Sequence, residues 1–143
     1  NLYGPNDNYD SLNSHFIPAL IKKIDKANLK KEDQITLWGT GKPKREIMYV
    51  DDLAEACLFF LKKKKTKNVI NVGTGIDYSI KDIALKVIEI LDSKLTINFD
   101  YSKPDGVYRK LLNSNEAKKH GWKSKITLHK GIKKTFNSYL KSI

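Results

Sequence analysis

The sequence predicts an α/β domain. Segments with apolar residues at helical spacing alternate with short β-rich runs, in the order α-β-β-α-β-α-β-α-α. One run, Val69, Ile70, Asn71 and Val72, reads as a short buried parallel strand. The chain is 143 residues long, which suits one domain with a real core.

The elements follow in order. Residues 6–14 are expected to be loop, because Asn, Asp and Ser dominate without a period. From His15 to about Ala27, Phe16, Ile17, Leu20, Ile21 and Ile24 form one helical face, with Lys22, Lys23 and Lys26 on the other. Pro18 falls in the first turn, where its missing N–H costs nothing, so the helix starts near Ser14 or Phe16. Gln34–Trp38 alternates and is β-rich, a strand that ends in the flexible loop 39–43. Residues 47–50 form a second short strand.

Asp51 or Asp52 then caps a helix through Leu53, Ala54, Cys57, Leu58 and Leu61. Its apolar girth predicts a sandwiched helix with Cys57 as a buried thiol. The lysine run 62–65 closes it and complements the negative helix end. After residues 69–72, Gly73, Thr74 and Gly75 read as a tight turn. Ser79 and Asp82 resemble a capping box and open a helix that buries Ile80, Ile83, Ala84, Val87, Ile88 and Leu91. Residues 95–99 alternate as a strand, and Leu111 and Leu112 add a short extended piece. Residues 114–120 form a short helix ended by Gly121 at the C′ position. Thr127 caps the last helix and turns Leu128, Ile132, Thr135, Phe136 and Leu140 inward.

Composition narrows the function classes. The chain is 40% hydrophobic and 30% charged, which excludes an intrinsically disordered segment. No apolar run approaches the roughly 20 residues that cross a bilayer. Cys57 is the one cysteine, so no intrachain disulfide or cysteine-rich zinc site forms, and a reducing, cytoplasmic setting is expected. No histidine–carboxylate group has ligand spacing, so no metal site is expected. No secretory leader is expected either. Asn1 stands where a start would have Met, so residues 1–143 are expected to be a fragment of a longer protein. The net charge of +11 raises nucleic acid, anionic membrane and phosphorylated ligands as partners. Only Arg45 and Arg109 among the 27 basic residues are arginine, the cation that base-edge readout leans on. Nucleic acid and membrane are therefore not expected partners, although a basic nucleic-acid-binding module stays the alternative from a different class.

Two polar loops stand out. In residues 38–46, an indole (Trp38), two glycines and Arg45 form a loop suited to a flat anionic ligand: indole stacks, and arginine pairs with phosphate through two donors. The same residues also fit a hairpin with Trp38 in the core and Arg45 on a carboxylate. In residues 102–110, Pro104, Asp105 and Gly106 are turn chemistry, followed by Tyr108, Arg109 and Lys110. His15 opens the first helix, where an imidazole serves as a proton donor or acceptor, or as a cap.

Taken together, these segments resemble the carboxyl-terminal half of the GDP-L-fucose synthase family of extended short-chain dehydrogenase/reductases, along essentially all of the chain. The likeness runs through Asn1-Leu2-Tyr3-Gly4-Pro5, Asn13-Ser14-His15-Phe16-Ile17-Pro18-Ala19-Leu20, Trp38-Gly39-Thr40-Gly41, Arg45-Glu46 and Val50-Asp51-Asp52. It continues in Asn71-Val72-Gly73-Thr74-Gly75, Ser102-Lys103-Pro104-Asp105-Gly106 and Arg109-Lys110-Leu111-Leu112. The Val-Asp-Asp and Asn-Val-Gly pieces are shared widely among nucleotide-sugar epimerases. The Asn-Ser-His and Ser-Lys-Pro-Asp-Gly pieces are much narrower.

The resemblance implies the substrate-binding half of an extended Rossmann-type reductase, with residues 69–72 as a late strand of its parallel sheet. It implies reduction and epimerisation of GDP-4-keto-6-deoxy-D-mannose with NADPH (the cofactor pair NADP/NADPH) and a homodimeric full-length parent. His15 would be the general acid of the epimerisation and, with Asn1 and Leu2, lie at the cofactor. Lys23, Trp38 and Arg45 would hold the GDP moiety, and Asp105 with Lys110 would close the substrate pocket. Val107 stands where the family usually has threonine, and Asn113 where aspartate is common. These departures leave open a reductase of another GDP-linked 4-keto sugar, such as a heptose. The superfamily's glycine-rich dinucleotide loop and its Tyr-x-x-x-Lys pair do not occur within the chain, so the chain alone is expected to be inactive.

Overall fold

The computed structural model describes residues 1–10, 13–63, 66 and 69–143. Lys64 and Lys65 of the expected helix-closing run, and Ser11 and Leu12 of the expected loop, lie outside the described residues.

Among the described residues the chain forms five helices and three small sheets. β1 (Leu2–Tyr3) pairs in parallel with β4 (Met48–Tyr49). β2 (Gln34–Trp38) pairs in parallel with β6 (Thr96–Asp100) over its whole length, Gln34 opposite Thr96 and Trp38 opposite Asp100. β3 (Lys44–Glu46) is the centre of the third sheet, antiparallel to β5 (Asp77–Ser79) and parallel to β7 (Arg109–Lys110). The helices are α1 (Phe16–Leu29), α2 (Val50–Leu61), α3 (Ile80–Ile90), α4 (Asn115–Lys119) and α5 (Leu128–Leu140).

The main core forms because the helical stripes and the strand alternation agree. Ile35 and Leu37 of β2 point inward while Gln34, Thr36 and Trp38 point out. Leu20, Ile21 and Ile24 of α1, Ile83 and Val87 of α3, and Ile132 and Tyr139 of α5 close on them. Two caps set helix starts as expected: Ser79 Oγ accepts from Asp82 N at 3.0 Å, and Thr127 Oγ1 from Lys130 N at 3.3 Å. Gly121, at φ 90°, ends α4. In α5 the inward position near the end is Tyr139, not Leu140, which is 47% exposed.

Several elements differ from the sequence expectation. Residues 69–72, expected as a strand of a sheet lying upstream of Asn1, pair with no strand among the described residues; Ile70 and Val72 pack against the smaller core of Met48, Ala56, Ala117 and Trp122. A strand needs a hydrogen-bonded neighbour, and among the described residues no ladder runs along this segment. The expected strand 47–50 is shortened to Met48–Tyr49: Ile47 lies outside it, and α2 already begins at Val50 with Tyr49 as its extended N-cap. Asp51 and Asp52 therefore sit in the first turn, where a carboxylate still meets the positive helix end. Helix α2 is not sandwiched. Leu53, Phe59 and Phe60 face the smaller core, whereas Ala54, Cys57, Leu58 and Leu61 are exposed. Cys57 is thus a surface thiol. Strand 95–99 shifts by one residue to Thr96–Asp100, and the extended piece expected at Leu111 and Leu112 lies at Arg109–Lys110.

Candidate functional site

Strand β2 carries Trp38 out of the sheet on its solvent side, and the indole is 70% exposed rather than packed in the core. The chain then reverses through Gly39 and Gly41, at φ 77° and 72°. Only glycine adopts that region at no cost, and a Cβ on Gly39 would also strike the Asp105 carboxylate. Strand β3 returns the chain, and its Arg45 lines the same cleft as Trp38.

Residues 101–108 fold back over this turn. Asp100 Oδ1 accepts from Ser102 N at 3.0 Å and from Ser102 Oγ at 2.6 Å, fixing the start of the loop. Thr40 donates its backbone N–H to Asp105 Oδ1 at 2.6 Å and its hydroxyl to Oδ2 at 2.7 Å, fixing the tip. Those Thr40 hydrogen bonds, backbone first, hold the Asp105 carboxyl below the usual aspartate range.

The result is a cleft of about 340 Å³ between the first helix and this loop. Its floor is apolar (Phe16, Leu20, Leu37, Ile80), and its polar groups are Lys23, Arg45 and Asp105, with Trp38 and Pro104 at the rim. Lys23 Nζ donates one hydrogen bond to the Thr36 carbonyl at 2.7 Å and keeps two N–H groups. Arg45 Nη1 donates to its neighbour's carbonyl, Lys44 O, at 2.8 Å. Among the described residues the Arg45 guanidinium is in no ion pair, unlike Arg109, which grips the Asp77 carboxylate across β3. An exposed indole and two cations over an apolar floor can hold a flat ring joined to an anion.

Four of the eight expected site residues, Lys23, Trp38, Arg45 and Asp105, converge on this cleft. The other four do not line it. His15 is the N-cap of α1, exposed and without a side-chain cap hydrogen bond, immediately before Phe16. Lys110 is exposed on β7, in register with Arg45. Asn1 donates its amino group and Nδ2 to Glu46 O at 3.2 and 2.8 Å, and Leu2 is 41% exposed on β1.

Sequence reasoning missed Thr40 and Glu46. Thr40 sits between two positive-φ glycines, and its place in the Trp38-Gly39-Thr40-Gly41 piece was the signal that could have found it. Glu46 is 4% exposed. Its Oε1 accepts from Gly75 N at 2.6 Å and Thr74 Oγ1 at 3.1 Å, and its Oε2 from Leu112 N at 2.9 Å. Gly75, at φ 74°, is the tight turn that the sequence predicts.

Residues 1–73 match the model of the NAD dependent epimerase/dehydratase family. GDP-L-fucose synthase 1 of Arabidopsis thaliana is 39% identical over 143 residues, all of this chain and 44% of that protein. The chain therefore spans under half the length of this curated relative, aligned with its carboxyl-terminal part. Among solved structures, a GDP-L-fucose synthetase from Naegleria fowleri bound to NADP superposes with a TM-score of 0.89 at 25% identity, covering 99% of this chain and 45% of that one. A GDP-6-OMe-4-keto-L-xylo-heptose reductase from C. jejuni superposes with a TM-score of 0.82 at 31% identity, covering 100% and 52%.

Proposed function

The chain belongs to the NAD dependent epimerase/dehydratase family, and on that premise we propose that it is the carboxyl-terminal, substrate-binding part of a GDP-4-keto-6-deoxy-D-mannose 3,5-epimerase/4-reductase, which makes GDP-L-fucose with NADPH. The observation that carries this reading is the convergence of Lys23, Trp38, Arg45 and Asp105 on one cleft. The guanine ring lies against Trp38. The Arg45 fork and the free N–H groups of Lys23 take the pyrophosphate. Asp105, through Thr40, holds loop 101–108 as the wall of the pocket, and Lys110 extends the cationic edge beside Arg45.

The residues present fit the cofactor. Leu2 carries a partly exposed apolar side chain and Asn1 is exposed beside it, on a strand paired on one side only among the described residues. That surface suits the flat nicotinamide ring of NADP, and Asn1 is pre-oriented by its two bonds to Glu46 O. When bound, NADPH supplies the hydride for the 4-keto carbon. His15, exposed at the mouth of the first helix, delivers the proton at the sugar ring during epimerisation. The reading includes a homodimer of the full-length enzyme and a cytoplasmic setting, which suits the lone exposed thiol.

A second reading, a reductase of another GDP-linked 4-keto sugar such as a heptose, draws on Val107 and Asn113 and on the likeness to the C. jejuni heptose reductase. It changes the sugar and leaves the nucleotide site as described.

Calorimetric titration of GDP into the full-length protein tests the nucleotide site. Arg45→Ala is expected to weaken GDP binding by roughly 1.5–3 kcal/mol, the scale of a hydrogen bond to a charged group, with little change in melting temperature. Arg45→Lys recovers part of the loss, since a point charge cannot make the fork. A lowered melting temperature with GDP affinity intact contradicts the assignment.

A further inference from the structure

Glu46 is a buried carboxylate that the proposed chemistry does not use. Its side chain reaches both flanks of β3 at once. Oε1 holds Gly75, two residues before β5, and Oε2 holds Leu112, two residues after β7. Both flanks are short. β5 has three residues, and β7 has two, both exposed. Two register pairs and the Lys44 N–H to Tyr108 carbonyl bond at 2.7 Å are the other backbone ties of β7 to β3. The strand between them carries Arg45, paired with Tyr78 on one side and Lys110 on the other. Loop 101–108, which walls the cleft, enters directly into β7. Asp105 fixes its tip and Glu46 fixes the chain beyond it.

We infer that Glu46 is a positioning residue for the anion end of the cleft: by accepting from Gly75 and Leu112 it clamps the strands on both sides of Arg45 and so sets where the guanidinium and the loop 101–108 wall stand. The carboxylate does not line the cleft. Both of its oxygens are needed. A glutamine keeps one acceptor and turns the other into a donor, which leaves either Gly75 N or Leu112 N without its partner. The inference rests on the proposed reading of the cleft as a GDP site.

The test is a double-mutant cycle on GDP affinity in the full-length protein, at a temperature where every variant is folded. Glu46→Gln is expected to weaken GDP binding roughly tenfold, the lower end for a charge-assisted hydrogen bond. In an Arg45→Ala background the same change is expected to cost less than about twofold, because its effect passes through Arg45. A merely structural carboxylate gives equal losses in both backgrounds or none in either, and both results overturn the inference. Should Glu46→Gln fail to fold, amide NMR of the wild-type protein decides. The Gly75 and Leu112 N–H signals are expected to shift on GDP addition with the same saturation as Thr40; unmoved signals overturn it. A wild-type protein without GDP affinity overturns the proposed function, and the positioning role falls with it.

Discussion

His15 holds the first position before α1 with its ring in solvent and makes no hydrogen bond to the free N–H groups of the helix. A capping histidine would have spent its ring on those groups, so the side chain is available for proton transfer. His15→Gln in the full-length enzyme should therefore impair epimerisation by about a hundredfold, the scale of a positioned general acid, while reduction of the ketone changes far less. Solvent-deuterium incorporation at C3 and C5 reads this directly, and unchanged incorporation returns His15 to a plain helix-start role. At this scale the sequence was informative where a residue's chemistry is unusual for its place. Trp38 at the end of an alternating strand and Arg45 as one of two arginines draw notice, but their residues alone fit a core indole and a paired arginine as well, and the family resemblance decides between the two. Glu46 draws none, because its partners are backbone N–H groups of two loops 29 and 66 residues away.

Loop 101–108 is the element on which the cleft depends, and a carboxylate latches it. Thr40 lowers the Asp105 pKa, so protons bind Asp105 less readily in the folded protein than in the unfolded chain. The latch is complete above the ordinary aspartate value of about 3.9 and is lost as the pH falls through the depressed one. The Thr40 amide resonance should titrate with a midpoint below that ordinary value and should not titrate in Asp105→Asn. A midpoint at or above it contradicts the latch. Among the elements, β2 and the helices α1, α3 and α5 were legible because each shows its own period. Strands β3 and β5 have three residues each and exist through their neighbours, so no local pattern marks them. The apolar girth of α2, with Leu53, Ala54, Cys57, Leu58 and Leu61, predicts a sandwiched helix, yet only its Leu53 side is covered and Ala54, Cys57, Leu58 and Leu61 are exposed. Periodicity reports that a stripe exists, and packing alone decides which side is covered.

Across the whole molecule, the apolar pattern places the main core, and the polar loops left over from it gather at one cleft. The basic charge behind the net +11 is almost entirely lysine, and of the two arginines Arg109 is tied to Asp77 while Arg45 lines the cleft. The chain spans 44% of its Arabidopsis relative. Hydride transfer needs the remainder of such an enzyme, so residues 1–143 alone should consume no NADPH. The decisive measurement is turnover of GDP-4-keto-6-deoxy-D-mannose with NADPH in deuterated water by the full-length protein and by residues 1–143 alone. The account predicts GDP-L-fucose labelled at C3 and C5 from the full-length protein and no reaction from the shorter chain. A product reduced at C4 without inversion or label, or NADPH consumption by residues 1–143 alone, would contradict it.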